Sequence, residues 1–169
     1  AAEVAKKSGG EVCALVLGVV SESEINQLGQ YGAQKVLQVG DERLNQFCAK
    51  ADAKAIVAAA RQTGAQIIVT AHNVTGKTIA GMVAVELKAG LVAGAVDYPQ
   101  TENGFTVKKT VFSGKAFAHI KINSEIKVIT LVPNTFSVKK MEGAATIENL
   151  SVEFNDADFG VKVGNVSEV

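Results

Sequence analysis

QIIVTAHNVTGKTIAGMVAVELKAGLVAGAVD, Gln66–Asp97, decides the fold. It reads as a buried strand, a polar turn, an amphipathic helix and a second apolar strand. That order is one unit of a parallel sheet, and such sheets present their ligand-binding turns at the ends of the strands. The turn here is Ala71 to Gly76.

Upstream of it the same rhythm recurs. Ala1 to Ser8 is rich in Ala and Lys and ends at Gly9-Gly10, a helix followed by a stop signal. Glu11 to Val20 is a near-continuous apolar run and predicts a strand buried on both faces. Ser21, with Glu24 three residues on, forms a capping box for a short helix ending near Gly29. Lys35 to Val39 is the next strand. Asp41 is a candidate cap, and Ala49 to Thr63 a helix stopped by Gly64. Gln66 to Thr70, Lys77 to Lys88 and Leu91 to Val96 complete the alternation, which predicts parallel pairing through right-handed crossovers.

Downstream the rhythm changes. Gly104 to Phe112, Lys115 to Ile122 and Lys127 to Val132 alternate apolar and polar residues, with turns at Asn103-Gly104, Ser113-Gly114 and Asn123-Ser124. All three are expected as antiparallel strands added to the parallel sheet. From Met141 the chain is polar, and Ser151 to Val163 holds two short alternating stretches. The fold class expected is therefore α/β: a three-layer, mostly parallel, Rossmann-like sheet with an antiparallel meander in its second half.

Composition narrows the partners. The 169 residues suit one domain, and 47% hydrophobic against 20% charged residues marks a folded chain. With no Trp and 5% aromatics, Ala, Val, Ile and Leu must build the core, which disfavours base-stacking platforms. Seventeen basic and seventeen acidic residues leave no excess charge for a phosphate backbone or an anionic membrane. The pairs Lys6-Lys7, Lys108-Lys109 and Lys139-Lys140 read as solvated surface. Cys13 and Cys48 lack metal-site or redox spacing; Cys13, in an apolar run, is expected to be a small buried hydrophobe. No run reaches the ~20 apolar residues of a membrane span. With no signal-peptide pattern, a cytoplasmic location is expected. The ends, Ala1 without Met and Glu168-Val169 without a closing element, suggest a piece of something longer.

Few residues carry chemistry. Thr75-Gly76-Lys77-Thr78 is half of a phosphate-binding loop in the right context, after a strand and opening a helix. The full motif needs a glycine where Ala71 stands, and a capped helix start explains the same residues. His72 lies just past a strand end, where an acid or base could act, although a hydrogen-bonded turn histidine is the simpler reading. His119 alternates within a strand, and two histidines without Cys or paired carboxylates make no metal site. Ser113-Gly114-Lys115 lacks the flanks of a nucleophile elbow. Asp156 and Asp158 lack the other oxygens of a calcium loop. No catalytic, cofactor-binding or metal-ligating residue is assigned.

The series of motifs nevertheless resembles one family. Gly64-Ala65-Gln66-Ile67-Ile68-Val69, Gly76-Lys77-Thr78-Ile79-Ala80 and Leu87-Lys88-Ala89-Gly90-Leu91-Val92 are similar to the alpha subunit of electron transfer flavoprotein. So are Phe112-Ser113-Gly114-Lys115-Ala116, Pro133-Asn134-Thr135-Phe136, and the earlier Gly18-Val19-Val20-Ser21-Glu22 and Tyr31-Gly32-Ala33-Gln34-Lys35-Val36. The resemblance covers nearly the whole chain. It implies the amino-terminal domain of a bacterial alpha subunit over residues 1–140 and, over 141–169, a linker or tail toward a carboxy-terminal FAD domain. None of that family's flavin-contacting motif matches a position here.

What the resemblance implies is an electron carrier, not an enzyme. It would pair with a beta subunit around one FAD held mainly outside this segment. Electrons would come from dehydrogenases such as those acting on acyl-CoA and pass to a quinone reductase. This domain would be the scaffold, with the meander and the tail as interface elements. The competing readings are a stand-alone adenine-nucleotide-binding module using Thr75 to Thr78 for phosphate, and an enzyme using His72 as a base. The opening strand expected in the family is absent, and the backbone groups it would leave unpaired predict self-association through that edge.

Overall fold

A computed structural model describes residues 1–161, Gly164 and Ser167. Helices α1 (Ala2–Ser8), α2 (Glu22–Asn26), α3 (Ala49–Thr63) and α4 (Val74–Glu86) alternate with strands in the first half. Those strands are β1 (Cys13–Leu17), β2 (Lys35–Val39), β3 (Ile67–Ala71) and β4 (Gly90–Ala95). Then follow β5 (Phe105–Val111), β6 (Ala116–Ile122), β7 (Lys127–Leu131) and β8 (Thr146–Asn149).

Punctuation in the sequence is used as expected. Gly9 and Gly64 close α1 and α3 in the left-handed region, at φ of 69° and 66°. Ser21 and Glu24 form the capping box of α2, which continues as a 3-10 turn to Tyr31. Asp41 caps a short 3-10 helix rather than α3. Helix α4 starts three residues earlier than Lys77, because the Asn73 side chain caps it.

The strands form two sheets, β1-β2-β8 and β3-β7-β4-β5-β6, instead of one. The first is wholly parallel. In the second, β7 lies between β3 and β4 and runs parallel to both, whereas β5 and β6 form an antiparallel hairpin on the far side of β4. The expected antiparallel meander therefore holds for β5 and β6 but not for β7. Its Val128, Ile129 and Thr130 are consecutively buried, as suits an interior strand covered on both faces.

Helices α3 and α4 cover one face, packing Val57, Ala80 and Val83 on Ile68 and Val128. On the other face Val4 of α1 meets Val92, Phe105 and Ile129, and Ile25 of α2 meets Val36. The result is the three-layer α/β fold. Strand β8, unanticipated in the polar segment after Met141, adds to the free edge of β2. The following residues fold back over α3, with Val152, Phe154 and Phe159 against the cluster around Leu37 and Ala55. A 3-10 turn (Asp156–Phe159) lies within the two short alternating stretches read over Ser151 to Val163; positions 162 and 163 lie outside the described residues.

Cys13 corrects another expectation. It is exposed, because β1 has no neighbour on its outer side; Cys48 is buried and donates its thiol to the Asp158 carbonyl at 3.1 Å.

Candidate functional site

The turn after β3 lies at the carboxyl end of the parallel strands β3, β7 and β4, where open α/β sheets place their ligands. Thr130 of β7 organises it. This wholly buried hydroxyl accepts the Gly94 N–H at 2.9 Å and lies 2.7 Å from His72 Nδ1. Thr130 can donate its own proton to Nδ1, an arrangement that puts the imidazole proton on Nε2. Burial, assisted by the positive charges of Lys77 and Lys109, lowers the His72 pKa below its ordinary value. The ring is therefore uncharged at pH 7.

Gly94 is the second organiser. Strand β4 slips register between Ala93 and Ala95, and Gly94 takes φ of 84° in that bulge. That positive φ is what favours glycine here; the His72 ring lies beside it, where a Cβ would meet Nε2 at an ordinary contact distance of 3.4 Å. Neither Thr130 nor Gly94 stood out in the sequence as functional. The isolated glycine within Leu91–Val96 was the available sign of a bulge.

The phosphate-loop residues are spent on the helix itself. The Gly76 N–H donates to Asn73 Oδ1 at 2.7 Å, and the Lys77 N–H donates to the Asn73 carbonyl at 2.9 Å. The Thr78 hydroxyl donates to the Val74 carbonyl at 2.8 Å. Gly76 is required sterically, since a Cβ would overlap the Ala71 carbonyl oxygen. The Gly76 and Lys77 N–H groups and the Thr78 hydroxyl are therefore engaged within the helix start, and Ala71 stands where a complete phosphate-binding loop has glycine.

The other candidates lie apart. His119 is exposed on β6, opposite Lys108. Ser113 belongs to the hairpin turn Phe112-Ser113-Gly114, all three at positive φ. Asp158 caps the last 3-10 turn with Asn155 and holds Lys54 Nζ at 2.7 Å; that hydrogen bond lowers its pKa to about 2. Among the described residues there is no cluster of three or more metal-ligating side chains, and no helix is long and apolar enough to cross a membrane.

A capped crossover at the ends of parallel strands, between helices on both faces, places the chain among the Rossmann-like α/β domains. Residues 1–155 match the electron transfer flavoprotein domain model, and the chain belongs to that family. It is 27% identical over 149 residues to the electron transfer flavoprotein alpha subunit of Bacillus subtilis, covering 87% of this chain and 46% of that protein. Against the alpha subunit of Syntrophomonas wolfei it is 27% identical over 154 residues, 91% of this chain and 49% of that one. The chain spans about half the length of the curated relatives it matches.

Proposed function

We propose that this chain is the scaffold and subunit-interface domain of a heterodimeric, FAD-containing electron carrier. The carrier would take electrons from dehydrogenases, such as those acting on acyl-CoA, and deliver them to a quinone reductase. Its partner is an electron transfer flavoprotein beta subunit, its setting the bacterial cytoplasm, and the flavin is held mainly by chain beyond these residues. Residues 1–140 carry most of the domain, and the segment 141–169, which gives β8 to its first sheet, leads on toward the flavin-holding part. The observation that carries this reading is the family match over residues 1–155.

Surface chemistry supports the interface role. The β5–β6 hairpin exposes Phe112, Phe117 and Ile120, and the segment before β8 exposes Val138 and Met141. Exposed aromatic and methionine side chains on a projecting edge are what a subunit interface uses.

The test is co-expression of the chain, extended to its full-length form, with a candidate beta subunit, followed by visible absorption of the purified complex. A yellow heterodimer that loses its FAD when the part beyond residue 169 is removed is expected. A colourless monomer that binds AMP or ATP, and loses that binding in Lys77→Ala/Thr78→Ala, would instead support the stand-alone nucleotide module.

A further inference from the structure

The tip of the β5–β6 hairpin is strained. There the chain turns through Phe112, Ser113 and Gly114 at φ of 51°, 54° and 84°. Two bonds hold it in that left-handed form. The Gly114 N–H donates to the Val111 carbonyl at 3.1 Å, and the Lys115 N–H to the Phe112 carbonyl at 3.2 Å. Glycine enters this region freely and asparagine at modest cost, which is why asparagine-glycine is the favoured pair in such tips. Here a bulky aromatic residue stands first. Its side chain is 78% exposed, so packing within the chain does little to offset the strain. An outlier kept at an exposed point indicates a side chain that is used there.

The surroundings indicate by what. Residues 105–122 carry Lys108, Lys109, Lys115 and Lys121 and no Asp or Glu, in a chain of zero net charge. None of the four has a carboxylate within ion-pair distance among the described residues. Phe117, paired with Thr110, is itself 58% exposed, and Lys108 Nζ lies 4.3 Å from its ring centroid. Strand β6 has a neighbour only in β5, and lysines guard an open edge against strand pairing. That protective role needs no aromatic rings among the lysines, least of all at a position suited to asparagine.

We propose that Phe112 is the anchor by which this hairpin docks on the partner subunit, entering an apolar pocket whose rim carries carboxylates that meet Lys115 and Lys121. The proposal rests on the subunit-interface role of the chain and names the residue and the chemistry that serve it. One buried aromatic anchor with flanking ion pairs supplies both the tight contact and the orientation of approach.

The test uses the full-length chain and a candidate beta subunit, with urea unfolding of the free chain measured beside the dissociation constant of the pair. Ser113→Gly relieves the backbone and keeps the ring; it should raise the unfolding midpoint and leave association unchanged. Phe112→Asn should also raise the midpoint, yet weaken association about tenfold or more. Lys115→Glu/Lys121→Glu should weaken it too and flatten its dependence on salt. If the wild-type chains do not associate, the subunit-interface reading fails and this proposal with it. If they associate and Phe112→Asn binds as well as wild type, only the anchor is overturned. A lowered midpoint for Phe112→Asn makes the ring structural and overturns it as well. So does a loss confined to self-association of the free chain, or to binding of phosphatidylglycerol vesicles, since a second copy or a membrane would then be the target.

Discussion

The Thr130 hydroxyl joins His72 Nδ1 and the Gly94 N–H, at 2.7 and 2.9 Å, and so ties the ends of three parallel strands together. Thr130→Val keeps the shape and removes both bonds. It leaves a buried N–H unsatisfied, so a loss of about 2 kcal/mol is expected in urea unfolding. His72→Ala, at a partly exposed ring, should cost less. Nitrogen-15 NMR should find the imidazole proton on Nε2 and a pKa below the ordinary histidine value.

Asp158 makes the tail acid-sensitive. Its carboxylate, held by Lys54, titrates at about 2 when folded, below the ordinary 3.8. A depressed folded-state pKa stabilises above the unfolded value and loses that contribution as pH falls through the folded one. Detachment of Phe159 and its neighbours from α3 should therefore set in between about pH 4 and 2. Asp158→Asn should abolish this step, as followed by hydrogen exchange over residues 150–160.

Asp52 has the opposite sign. Burial raises its pKa, so ionisation is harder in the folded chain than in the unfolded one. Stability should fall as pH rises from the unfolded aspartate value through the raised folded one. Asp52→Leu should remove this pH dependence and raise stability by about 1 kcal/mol. Thermal melts from pH 4 to 8 check both effects.

At the start of α4, Asn73→Ala removes the cap and should cost about 1 kcal/mol. Gly76→Ala should cost at least about 2 kcal/mol, because the added methyl meets the Ala71 carbonyl rather than a flexible side chain. Equal effects of the two substitutions in a denaturation series would contradict this steric account.

Local punctuation made the helices legible. Ser21 with Glu24, Gly9 and Gly64 fix their ends through bonds made within a few residues. Strand order was not legible in the same way. Val128-Ile129-Thr130 carries the uninterrupted burial of a central strand, but its neighbours β3 and β4 are distant in sequence, and the hairpin just before it suggested a third antiparallel member. Four-residue β8 gains its place from β2, more than a hundred positions away. At the candidate site, His72 and the incomplete loop were visible as residues. That Thr130 claims the one and Asn73 the other depends on three-dimensional neighbours.

Helix α3 has a mechanical consequence. Its Ala51, Ala55 and Ala59 pack in the core of the first sheet and its Ala53, Val57 and Ala60 in that of the second, so the halves should unfold as one cooperative unit only while that helix is intact. A bulky residue at Ala55 would lift one sheet, and at Ala53 the other. Each would split a single denaturation transition into two, dividing the molecule along a line that no loop in the chain marks.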